Sequence, residues 1–310
     1  MSPTTRRSPF RAWLIRTTRA ESVGDAAFKW LTLVFALLLV ATFAALVYVL
    51  ADRAWPAIRA FGAGFLWSQE WDPPGQRFGA LAYVVGTTAT SVIGLLVALP
   101  ISVGTAVAIT QMLSRRVAIP FGFLVELLAA IPSIIFGVWG LAVVVPRVRS
   151  LGGEGTFGPS ILAAGVVLAA MMLPIMTAVT RDLLLAVPRH QKEAALALGA
   201  TRWEVTWRVL LPHSRAGILA AAILGLGRGV GETMAVIMVV GNQARLPHSV
   251  FDPGATMASL IANEFGDPSG PLHAAALVEL GLVLVALSLL LNVAARLIVR
   301  MLTRKKGAWV

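Results

Sequence analysis

Glu193-Ala-Ala-Leu-Ala-Leu-Gly199, followed after nine intervening residues by Val209-Leu-Leu-Pro212, is a polar interlude in an otherwise apolar chain. Its Ala- and Leu-rich first part favours helix, and Gly199 suits a chain reversal where a helix ends. The run from Trp203 to Leu211 predicts a second short amphipathic helix, which Pro212 stops. A helix–turn–helix with small residues at its bend suits insertion into a groove on another protein. Small residues permit close backbone approach, and a rigid lever transmits motion better than a floppy loop. This loop, about 182–215, lies between two long apolar stretches.

Reading outward, a bilayer core of about 30 Å needs about 20 apolar residues in a helix. Trp30–Leu50, Leu81–Ile109, Val117–Val145, Pro159–Thr180 and Leu272–Ile298 satisfy that. A sixth stretch, Ala216–Gly241, is apolar except for Arg228 and Glu232. The 310 residues are 57% hydrophobic and only 13% charged, with a mean hydropathy of +0.80. A soluble protein carries about 25% charged residues, so a water-facing globule is excluded and the expected fold class is an all-α integral membrane protein with six spans. Trp30–Leu50 resembles the apolar part of a signal peptide. Its 21 residues exceed the usual run of about 7–15, which favours an uncleaved anchor. The absence of cysteine excludes disulfides, thiolate metal sites and thiol catalysis. No Walker-type phosphate loop occurs. The alternating Gly225, Gly227, Gly229 and Gly231 sit inside an apolar span, where they are expected to let another backbone approach.

The net charge of +11 reads as bases flanking membrane spans rather than as a nucleic-acid surface. Nineteen of the 26 Lys and Arg residues fall on one side of the six spans and six on the other, which places both termini in the cytoplasm. The expected organisation is a basic start at 1–29, a first span at 30–50, an outer segment at 51–80, a core of five spans at 81–298 and a basic tail at 299–310. The outer segment carries Trp55, Phe61, Phe65, Trp67 and Trp71, either as an interfacial apron or as a docking surface. Asn242–Pro271, with the short run Thr256–Phe265, reads as a re-entrant or interfacial helix.

The loop resembles the E-A-A-x3-G-x9-I-x-L-P motif of permease subunits of ATP-binding-cassette importers. Glu193, Ala194, Ala195, Gly199, Leu211 and Pro212 match it, and Val209 replaces the motif's Ile. Glu126–Gly140, Gly227–Val236, Gly241-Asn242, and Phe65 through Trp71-Asp-Pro73 are similar to motifs of phosphate importer permeases, the last to the PstC type. The resemblance runs from about Val23 to the end. It implies a type I importer permease core of the MetI-like kind, with the first span outside it, and a loop that docks on an ATPase. It also implies a PstA-type permease as heterodimer partner, two PstB-type ATPase subunits that hold ATP and Mg, and a PstS-type external phosphate-binding protein. The chain itself is then expected to hold no cofactor and catalyse no covalent step, and inorganic phosphate is the implied cargo. Sulfate or molybdate remain alternatives, as does an ion-gradient carrier outside the class.

Arg228 lies about 18 Å into its span at 1.5 Å per residue, where an arginine costs at least about 2.5–3.5 kcal/mol. Glu232 follows at i+4, on the same face of a continuous helix, where it is expected to neutralise the guanidinium. That pair either fixes helix register or puts Arg228 in contact with the anion in transit, since a planar guanidinium matches two phosphate oxygens. Glu126 is expected to pair with Arg228 or to close a neighbouring helix contact, and Glu279 to lie near outer water. Pro132 and Pro174 are expected to interrupt spans three and four and permit kinks, and Pro132, with Ser133, either lines the path or only kinks its span. The dispersed histidines His190, His213, His248 and His273 show no metal-ligand spacing.

Overall fold

In lipid the backbone has only itself to bond to, so long apolar runs are forced into helix. The computed structural model describes residues 9–153 and 157–304, with side chains within 24–153 and 157–301. Of the expected basic flanks, Arg6, Arg7, Lys305 and Lys306 lie outside the described residues. Helix α1 (Pro9–Phe61) is followed by α2 (Gly64–Trp67) and a two-stranded hairpin, β1 (Trp71–Asp72) with β2 (Arg77–Phe78). Then come α3 (Leu81–Met112), α4 (Arg115–Ala129), α5 (Ser133–Gly152) and α6 (Ile161–Leu185). After α7 (Arg189–Ala197) the chain forms α8 (Arg202–Val230), α9 (Met234–Ile237), α10 (Met257–Glu264) and α11 (Pro271–Arg304). Among the described residues, six helices are long and apolar enough to cross a membrane. The chain divides into two units, Met1–Asp52, which is described from Pro9 onward as helix, and Arg53–Val310.

Among the described residues, the second unit has three apolar clusters. The central one packs α3, α5 and α6 around Val167, Leu168, Met172 and Met176. Gly225 and Gly229 of α8 accept the side chains of Met176 and Met172 rather than a neighbouring backbone, and Gly231 faces open space. The expected backbone approach along this glycine series is therefore replaced by methionine packing. A second cluster, built on Phe65, Phe78, Tyr83, Met257, Leu277 and Leu280, joins the starts of α3 and α11 to α10. The third, with Ala106, Val107, Leu184, Val205 and Leu210, holds the loop against the ends of α3 and α6. Glu279 is buried, and its Oε2 has no hydrogen-bond partner among the described residues.

The outer segment is neither a pure apron nor a free docking face. Phe65 is buried, and Trp71 stacks edge-on against both Phe78 and Tyr83, although Trp55 and Trp67 stay exposed. The Trp71 indole N–H donates to Glu264 Oε2 at 2.8 Å. Ser269 N–H donates to His273 Nδ1 at 3.1 Å, which leaves the Nε2 proton for Glu264 Oε2 at 2.9 Å.

Two expected spans are discontinuous. Span three stops at Ala129 and restarts at Ser133, so Pro132 marks a complete break rather than a kink. Span five ends at Val230 and restarts as α9 at Met234, because Gly231 caps it. In contrast, α6 runs unbroken through Pro174.

Helix α3 is clamped to the segment before α10. Thr87 Oγ1 accepts from Met257 N at 3.0 Å and donates to Tyr83 O at 2.8 Å. At the preceding residue, a methyl on Gly86 would overlap the Ala255 carbonyl oxygen. Gly86→Ala is therefore expected to destabilise the fold by about 2 kcal/mol, an overpacking cost. The readout is a lower thermal midpoint in detergent, and an unchanged midpoint contradicts the close approach.

Candidate functional site

The loop is built as a hairpin. Helix α7 ends at Ala197, and Gly199 reverses the chain at φ +85°, where a side chain is strained. Thr201 then opens α8 with a capping box. Its hydroxyl accepts from Glu204 N at 3.2 Å, and Glu204 Oε2 accepts from Thr201 N at 2.9 Å. Pro212 does not stop this helix. A π-turn over Thr206–Leu210, in which Leu211 N donates to Thr206 O, precedes the proline. The proline then occupies the first turn of the next α-helical stretch, where its missing N–H is tolerated. The expected second short helix is thus the lower end of span five.

The motif residues divide into two groups. Ala195, Val209 and Leu211 pack against the third apolar cluster and hold the hairpin to the core. Glu193, Ala194, Gly199 and Pro212 are exposed. Beside them lies an apolar surface in which Leu198 is 90% exposed and Trp203 stacks on Trp207 at 5.8 Å. A protruding leucine beside a stacked pair of tryptophans fits an interface better than bulk water.

The membrane-depth residues are arranged differently from the sequence expectation. Because α8 ends at Val230, Glu232 is not one helical turn above Arg228, and no ion pair joins them among the described residues. Glu232 Oε1 instead accepts from Ala235 N at 3.3 Å, at the start of α9. Arg228 falls in the last turn of α8, where the negative end of the helix dipole favours a cation by about 0.3–1 kcal/mol. It lines a cavity of about 750 Å³ with Ile175, Leu224, Gly227, Asn292 and Arg296. Glu126 pairs with Arg181 at 2.8 Å and not with Arg228, which is the helix-closing alternative. Gly122, one turn before Glu126, leaves room for that guanidinium.

The helices that follow the breaks in spans three and five pack together. Gly137 of α5 packs with Ala235 Cα at 3.0 Å and Met234 O at 3.3 Å from the position its Cβ would take. Pro132 and Ser133 open the helix that carries Gly137, and Glu232 lies in the turn just before Met234, whereas Glu126 sits apart with Arg181. Interrupted helices at membrane depth leave backbone groups for a polar cargo. Arg181 and Arg296 were missed as site neighbours because both read as flanking bases. The four-residue spacing of Asn292, Arg296 and Arg300 is the signal that marks a single helical face.

Residues 98–307 match the family of binding-protein-dependent transport system inner membrane components. This span covers the interrupted spans, the hairpin loop and Arg228. The chain belongs to that family. Among related binding-protein-dependent permeases, the phosphate transport system permease protein PstC of Pasteurella multocida is 38% identical, over 95% of this chain and 99% of its own length. PstC of Haemophilus influenzae is 40% identical over 91% of this chain and 95% of its own length. PstC 2 of Mycobacterium tuberculosis is 41% identical over 86% of this chain and 87% of its own length. Among solved structures, a bacterial alginate ABC transporter in complex with a pentasaccharide-bound periplasmic protein aligns with a TM-score of 0.61 at 17% identity. That alignment covers 90% of this chain and 97% of the other. The inward-facing MetNI methionine ABC transporter aligns with a TM-score of 0.54 at 24% identity, over 72% and 94% of the two chains. The fold is that of a MetI-like ABC importer permease, and this family member is a multi-pass inner-membrane component.

Proposed function

We propose that this permease moves inorganic phosphate across the bacterial cytoplasmic membrane, as the PstC-type half of a heterodimer with a PstA-type permease. The observation that carries the reading is the near full-length similarity to relatives named as phosphate permeases. Both termini and the Glu193–Pro212 hairpin face the cytoplasm, a placement supported by the excess of Lys and Arg on that side. There the exposed face around Glu193, Ala194, Leu198 and Gly199 docks on an ATPase. Two PstB-type subunits bind and hydrolyse ATP with Mg, and this chain holds no cofactor. A PstS-type binding protein delivers phosphate at the opposite end. ATP binding draws the hairpins together and opens the path outward, and hydrolysis resets it. Arg228 meets the anion in transit, its planar guanidinium accommodating two phosphate oxygens, while Pro132, Ser133 and Glu232 line the neighbouring breaks.

The test is initial uptake of labelled phosphate by cells grown on limiting phosphate, with and without the chain. Loss of uptake in its absence, uncompeted by excess sulfate or molybdate, is expected. Unaltered phosphate uptake, or competition by sulfate at equal concentration, overturns the assignment. Co-purification of the ATPase with the intact chain, lost on deleting the hairpin, tests the docking reading.

A further inference from the structure

The cavity that Arg228 lines has a second wall. Asn292, Arg296 and Arg300 of α11 face it, and positions four apart share one helical face, each about 6 Å further along the axis. The direction of that series follows from the packing. Helix α11 begins in the cluster that contains Tyr83 at the start of α3, whereas the hairpin packs on Ala106 and Val107 near the other end of α3. Helices α8 and α11 therefore run antiparallel. Asn292 lies level with Gly227, whose Cβ position is 3.9 Å from the Asn292 amide. Arg296 and Arg300 are one and two turns nearer the hairpin-bearing end.

Among the described residues, no acidic side chain lines this cavity. Neither Arg228 nor Arg296 forms an ion pair among the described residues, whereas Arg181 is matched by Glu126. Asn292 donates to Ser288 O at 2.8 Å, which fixes its side chain. The floor is apolar, with Ile175, Ile223 and Leu224. Successive guanidiniums on a partly apolar wall attract an anion with several acceptor oxygens, and each guanidinium offers it a two-point contact.

We propose that this wall is the release path of the transported oxyanion, with Arg296 taking the ion from Arg228 and passing it toward the hairpin-bearing end. The inference rests on phosphate as the cargo and on the role of Arg228 proposed above. A phospholipid headgroup offers the same phosphate chemistry. The continuity of Arg296 with Arg228 in one cavity, floored by Ile175 of α6, favours the free ion.

The experiment reconstitutes the complete assembly, with its ATPases, second permease and binding protein, in phosphatidylcholine vesicles and in vesicles enriched in phosphatidylglycerol. Initial phosphate uptake and ATP hydrolysed per phosphate are measured. R296Q is expected to lower uptake about tenfold in both vesicle types, the scale of one charge-assisted contact, and to raise the ATP used per phosphate. R296K keeps the charge without the fork and is expected to lose only about threefold. If R296Q does not assemble, R296K alone carries the test, and wild-type behaviour from it overturns the inference. Unchanged uptake by R296Q also overturns it, as does a loss confined to phosphatidylglycerol vesicles, which assigns the wall to headgroups. A fall in hydrolysis that keeps the ratio constant likewise overturns it. A wild-type assembly that imports no phosphate overturns the cargo reading and this inference with it, whereas wild-type import with an indifferent R296Q overturns this inference alone.

Discussion

Arg228→Gln is expected to cut phosphate uptake by about a hundredfold while the assembly remains intact. Two charge-assisted hydrogen bonds of about 1.5 kcal/mol each sum to about 3 kcal/mol, and each 1.4 kcal/mol corresponds to a factor of ten. Nothing in the fold offsets this loss. Arg228 is exposed to the cavity, forms no ion pair among the described residues, and Glu232 is engaged with Ala235 N. Removing a guanidinium from membrane depth relieves an insertion cost of about 2.5–3.5 kcal/mol, so yield and thermal midpoint are expected to hold or rise. The measurement is uptake by reconstituted assemblies normalised to intact complex. Full uptake from an assembled R228Q complex removes the transit role.

Gly199→Val is expected to uncouple hydrolysis from transport, with at least about tenfold more ATP consumed per phosphate. A β-branched residue at φ +85° costs about 1–3 kcal/mol locally, comparable to the stability of a nine-residue helix ending in an exposed turn. The cost is confined to the hairpin tip, because no atom lies within 4 Å of a Cβ built at Gly199. The thermal midpoint of the core is expected to stay put. Gly199→Asn, which tolerates the left-handed region, separates two causes of uncoupling. Normal coupling in Asn assigns the effect to the backbone turn, and uncoupling in both variants assigns it to a partner pressed against the bend. Normal coupling in Val contradicts the docking of this hairpin.

How much was legible depended on the range of the interaction. Six spans follow from hydropathy alone, and the turn at Gly199 follows from residue type. The Arg228–Glu232 pair failed because an i+4 spacing presumes an unbroken helix, and the end of α8 at Gly231 separates the two. Pro212 misled for the converse reason: a π-turn upstream shifts the hydrogen-bond register and lets the helix absorb it. Glu126 with Arg181, Trp71 with Glu264, and Glu264 with His273 join residues 55, 193 and 9 positions apart, beyond any local pattern. The wall of α11 was visible as a four-residue spacing, but bases near a span's end read first as membrane flanks.

The π-turn has a mechanical consequence. By letting Pro212 pass, it makes a single 29-residue helix from Arg202 to Val230, a strut about 40 Å long at 1.5 Å per residue. Its foot stands in the hairpin and its head carries the guanidinium of Arg228. A strut of that length, tilted by about ten degrees at the foot, swings its head through about 7 Å, roughly the width of a hydrated anion. A displacement imposed at Trp203 therefore reaches the cavity along one continuous helix, in which the π-turn at Thr206–Leu210 and Pro212 mark the place where it can bend.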